Sequence, residues 1–265
     1  AAVALLTGFV THERRTPHPM LPLDLFRNRN FAVGNVQTLA MYAGLSLLFF
    51  FLVIFLQQAA GYSATAAGTA SLPVTVSMFL LSSRFGALAD RLGPRFFMGV
   101  GPLVTALGLA SMATLGSDLT YFGDLLPRLV VFAIGLSMTV APLTATVLAS
   151  ADEGNAGTAS GVNNAVARTA GLLGIALVGA IVAGRYGQDA DSSVGAFHLA
   201  MGISAALVAV GGVLGLVGIR NPARETHAST CAGGQLAGAP AEAVADGSPL
   251  VTAVVADRPV AARGA

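Results

Sequence analysis

The chain has 265 residues, 54% hydrophobic and only 10% charged, with 14 Lys+Arg against 13 Asp+Glu and a formal net charge of +1. Soluble domains carry about 25% charge, so this composition, with a mean hydropathy of +0.73, excludes an ordinary soluble domain and reads as a membrane protein. No basic stripe with interleaved aromatics occurs, so no nucleic-acid partner is expected. A single cysteine, Cys231, allows neither a disulfide framework nor a cysteine metal cluster, and His12, His18, His198 and His227 lack ligand spacing. With no Gly-rich phosphate loop and no Gly-x-Ser-x-Gly elbow either, neither an enzyme nor a metal or cofactor site is expected.

Residues 1–10 are apolar but too short to span, with no basic region ahead of them, and are expected to be the end of a truncated helix. Residues 11–30 are polar, broken by Pro17, Pro19 and Pro22, and carry Arg14, Arg15, Arg27 and Arg29, which marks a cytoplasmic loop. The first full span is expected over 31–57, polar in its first half (Asn35, Gln37, Thr38, Tyr42, Ser46) and a dense Leu/Phe run in its second. A second span is expected over 66–83, kinked by Pro73.

Residues 84–95 form a polar knot between two apolar runs. Arg84, Arg91 and Arg95 gather there with Asp90, and Gly86, Gly93 and Pro94 suit a tight reversal on the inner side.

The third span is expected over 96–115, with Pro102 inside it. An outer turn at 116–124 follows, with Asp118 and Asp124 and no arginine. The fourth span covers about 125–148, with Arg128 near its outer end and Pro142 inside, and an inner loop runs over 150–158. The fifth, 159–183, holds Asn163, Asn164 and Arg168; an intramembrane cation is costly and marks function unless it snorkels to the headgroups. Asn164 lies four residues before Arg168, on the same helix face, and these two, with Asn163, are candidates for a polar, substrate-binding cavity. Gln37 and Tyr42 are weaker candidates, for which helix-to-helix hydrogen bonding is the alternative. An outer loop at 185–195 and a sixth span at 198–219 complete the series, and the remainder is rich in Ala, Gly, Pro and Ser and is expected to be a disordered cytoplasmic tail. No acid lies at the centre of a span, so the chain by itself supplies no midplane proton carrier.

The knot resembles the loop motif Gly-x-x-x-Asp-Arg-x-Gly-x-Arg of the major facilitator superfamily, with Gly86, Asp90, Arg91, Gly93 and Arg95 on its fixed positions. Arg27 to Phe31, the turn Gly61-Tyr62-Ser63, and residues 157–171 with Asn163, Asn164 and Arg168 are similar to the second half of the 14-helix drug:proton antiporters. The resemblance implies an all-α membrane fold, a six-helix bundle over 31–219 equal to one half of a major facilitator, preceded by 1–30 and followed by the tail 220–265. It implies a multi-pass protein of the cell membrane acting in proton-coupled export of drugs or other amphipathic small molecules, with the loop motif as a conformational latch. The first half of such a transporter, with its acidic first helix and antiporter proline motif, is missing. The implied partners are therefore the bilayer, a small amphipathic substrate, protons and a separate N-terminal half. The alternative is a truncated, non-transporting membrane fragment or an interaction half.

Overall fold

A computed structural model describes residues 7–8, 11–13, 16, 21–151, 153–184 and 190–221. Most of the expected truncated helix, and the tail beyond Asn221, lie outside the described residues. Among the described residues six long helices carry the fold: α1 (Arg29–Gln58), α2 (Leu72–Leu92), α3 (Pro94–Met112), α4 (Leu126–Ala149), α5 (Ala156–Val182) and α6 (Ala190–Gly218). All six are long and apolar enough to cross a membrane, and no strand occurs among the described residues. The chain is thus an all-α membrane bundle.

Local chemistry sets the helix ends. Asn28 caps α1 by accepting from the backbone N–H groups of Asn30 and Phe31, and its amide also donates to Ser150 O beyond α4. Pro73 does not kink a span as the sequence suggests. A short helix, Ala64–Thr69, ends first, and Pro73 sits in the first turn of α2, where a missing N–H costs nothing. The Tyr121 hydroxyl, in the turn that leads into α4, donates to Ala70 O at that break. The polar knot also differs from expectation. Helix α2 continues through Arg84, Asp90 and Arg91 to Leu92, and the reversal is a single residue, Gly93, at φ 93°. Arginine marks where a span meets the headgroups, not where a helix ends.

The core has two parts. The Leu/Phe half of α1, from Leu47 to Leu56, packs with Leu109, Leu129, Phe132 and Phe197, and Phe55 stacks on Phe197 with ring centroids 4.2 Å apart. A smaller cluster of Leu25, Phe31, Met98, Leu143, Val147, Ala159 and Ile219 closes the arginine-rich end. Between them the backbones come very close. A Cβ on Gly135 of α4 would fall on the backbone of Gly101 and Thr105 in α3, so only glycine permits this contact.

The principal helix contacts run in the order α2–α4–α3–α6–α1–α5. Exchanging α1 with α4, α2 with α5 and α3 with α6 carries this set of contacts onto itself, with α3–α6 unchanged. Because α1 and α4 start from opposite ends of the bundle, this contact pattern is that of two inverted three-helix units, α1–α3 and α4–α6. Helices α3 and α6 form its centre, and α2 and α5 stand at its flanks. The flanking pair is the least covered, with 17% and 33% of their most apolar windows buried against 44–61% for the others.

Candidate functional site

The polar residues of α1 divide between two seams. Gln37 is fully buried, and its amide donates to Met98 O of α3. That carbonyl is four residues before Pro102, which has no N–H to offer it, so the helix itself leaves it unpaired. Gly215 of α6 brings a third backbone against the same carbonyl. Gln37 therefore lies at a junction of α1, α3 and α6 and not on an open surface.

The second seam joins α1 to α5. The Thr38 hydroxyl lies 2.7 Å from Asn163 Oδ1 and 2.9 Å from Gly34 O, and its one proton serves one of the two at a time. Tyr42 and Ser46 follow at four-residue spacing on the same stripe. A Cβ on Gly171 would fall on Ser46 Oγ, and one on Gly174 would lie 3.3 Å from Ala43 O. Small residues of α5, Ala167, Ala170, Gly171 and Gly174, are buried here, whereas Asn164 and Arg168 are exposed beside the seam. The structure thus brings Asn163, Tyr42 and the Asn164/Arg168 pair to one seam and sets Gln37 apart.

Helix α5 begins at Ala156, earlier than the sequence suggests, so Arg168 falls at the middle of its 27 residues. At 1.5 Å per residue it lies about 18 Å along the helix. Subtracting the overhang of a roughly 40 Å helix beyond a roughly 30 Å hydrocarbon core leaves it about 13 Å deep. That is farther than its side chain extends, which weakens the snorkelling alternative.

In the loop motif, Gly86 faces α4, where a Cβ would meet Ala141 Cβ at 3.4 Å. Asp90 is exposed on α2, and among the described residues it forms no ion pair with Arg95. Arg95 turns away from it and donates from Nε to Leu216 O at the end of α6, 2.6 Å away. Asn221 in turn accepts from the Arg95 backbone N–H at 3.0 Å and lies against Gly93.

Comparison with known proteins matches this architecture. The sequence model of the Major Facilitator Superfamily matches residues 6–175. The chain belongs to the major facilitator superfamily. It is 31% identical over 188 residues to the tetracenomycin C resistance and export protein of Streptomyces glaucescens, covering 71% of this chain and 35% of that protein. It is 33% identical over 203 residues to the probable actinorhodin transporter of Streptomyces coelicolor (73% and 35% covered). To the lincomycin resistance protein of Streptomyces lincolnensis it is 32% identical over 217 residues (79% and 44% covered). The chain thus spans between a third and a half of the length of these relatives.

For a major facilitator chain, sequence reasoning missed Asn221, Arg29 and His198 as parts of the frame. Arg29 donates to Gly218 O and Val217 O, and His198 Nε2 donates to Leu115 O at 2.8 Å. Their acceptors are backbone carbonyls, which leave no signature in side-chain patterns. Gln37 had a usable signal: Pro102 announces a stranded carbonyl at Met98, although not which residue reaches it.

Proposed function

We propose that this chain forms the second half of an exporter of amphipathic small molecules, of the 14-helix drug:proton antiporter kind, acting in the cell membrane against a six-helix first half. The observation that carries this reading is Arg168, exposed at mid-height of α5 with Asn164 beside it. A cation facing lipid at that depth would cost about 3 kcal/mol or more. Water or a facing protein half removes that cost. Helices α2 and α5, the flanking pair with the least covered surfaces, are the natural contacts for such a half. The names of the relatives, which refer to antibiotic resistance and export, support the substrate class. The arginine-rich end, with Arg29, Arg84, Arg91, Arg95 and Arg220, faces the cytoplasm in this reading. Protons are the coupling ions, carried on acids of the first half, since no span here has a central carboxylate. Asn163, Asn164, Arg168 and Tyr42 line the cavity, and Gln37 supports the α1 wall from behind.

The test replaces Cys231 and places a cysteine at position 168. Reactivity toward a small water-soluble thiol reagent is measured with and without a co-expressed first half. Labelling in the assembly that falls on adding an exported drug is the expected result, together with loss of export for Arg168→Ala and partial recovery for Arg168→Lys. Normal export by Arg168→Ala, with labelling unaffected by drug, overturns the cavity assignment. Absence of drug export by any such assembly overturns the transporter reading itself.

A further inference from the structure

The ends of α3 and α6 are held by matching sets of donors. At the arginine-rich end, the carbonyls of Leu216, Val217 and Gly218 receive Arg95 from α3 and Arg29 from the start of α1. At the other end, Ser111 O and Leu115 O, at the end of α3 and just past it, receive Arg128 from the start of α4 and His198 from α6. The exchange of α1 with α4 puts Arg29 and Arg128 in like places, each in the first turn of its helix, whereas Arg95 lies in the first turn of α3 and His198 in the third turn of α6. Helix C-termini carry free carbonyls and partial negative charge, so guanidinium and imidazole N–H donors suit them. Arg128, an arginine at the end opposite the arginine-rich one, has its reason here.

At the arginine-rich end the contact is reciprocal. Arg95 caps the end of α6, and Asn221, three residues past that helix, accepts from the backbone N–H in the first turn of α3. Gly93, the residue ahead of α3, has no side chain to do so, and a Cβ there would strike the Asn221 carboxamide. Asn30 and Arg220 exchange two further bonds of 2.9 Å each.

We infer that Arg95, Asn221 and Arg29 are positioning residues that pin α3, α6 and α1 into one body, so that the loop motif divides at Gly93. Gly93 and Arg95 belong to this pinned body, whereas Gly86, Asp90 and Arg91 ride on α2, whose main partner is α4 alone. This goes beyond the export proposal and is tested without measuring export.

The test is thermal unfolding of the purified 265-residue chain in detergent, using Arg95→Ala, Asn221→Ala, Asn221→Asp, Asp90→Asn and the pairwise combinations. Arg95→Ala and Asn221→Ala are each expected to lower the midpoint by about 2–4 °C, the shift of one capping bond of ordinary strength in a domain of this size. The Arg95/Asn221 double variant should fall well short of the sum of the singles, because the two bonds close one contact. Asn221→Asp keeps the acceptor at a helix N-terminus and should restore the midpoint. Arg95→Ala and Asp90→Asn should be additive. If Arg95→Ala does not yield folded protein, Arg95→Lys takes its place in both cycles. Strong coupling of position 95 to Asp90, additivity with Asn221, or an Asn221→Asp variant as damaged as Asn221→Ala overturns the inference.

Discussion

At the scale of the residue, the Gln37–Met98 bond shows how a membrane bundle handles a proline. In water a stranded carbonyl would be solvated, but in the bilayer it needs a protein donor. Gln37→Leu keeps the volume and removes the donor, so it is expected to destabilise the chain by about 0.5–2 kcal/mol. Pro102→Ala restores an N–H within α3, so in that background the same substitution should cost measurably less. Thermal unfolding of the four proteins checks this; equal losses in both backgrounds would show that Gln37 acts by packing alone. The stranded carbonyl was legible in the sequence, because a proline always removes the N–H that serves the residue four before it. The donor was not, because Gln37 precedes Met98 by 61 positions and only the folded bundle brings them together.

At the scale of the element, charge-free runs made the six spans legible, while their ends were less so. The arginines of 84–91 mark a headgroup boundary inside a continuing helix, and Pro73 opens a helix that the sequence alone would bend. Small residues were legible as close-packing faces in general but not by partner. The structure separates two kinds: Gly135 is pressed on the α3 backbone, whereas Gly179 of α5 has nothing within 4 Å of an added Cβ. Gly135→Ala should force α3 and α4 apart at a cost of about 1–3 kcal/mol. Gly179→Ala should be neutral or stabilising by up to about 1 kcal/mol, since alanine is the better helix former. Unfolding midpoints distinguish the two, and equal behaviour would contradict the described contact.

At the scale of the whole molecule, the arginine-rich end carries the proposed orientation. With Cys231 replaced, an impermeant thiol reagent added outside intact cells should label a cysteine at Asp118 and not one at Arg84; the reverse pattern would invert the bundle. The inverted repeat itself was not legible, because the two three-helix units match in packing and not in any residue pattern that the sequence displays. The same symmetry has a consequence in time. Arg29 and Arg128, which help to hold the ends of α6 and α3, are alike in place but not in their spacing along the chain. Arg128 reaches a carbonyl 17 residues earlier, whereas Arg29 waits for one 189 residues later. During synthesis the Arg128 contact can form while the chain is still emerging, whereas the Arg29 contact stays open until the end of α6 is made. Chains stopped before Leu216 should therefore enter the membrane with the α1–α6 seam unfastened, and protease sites near Arg29 should be cut in them and protected in the full chain.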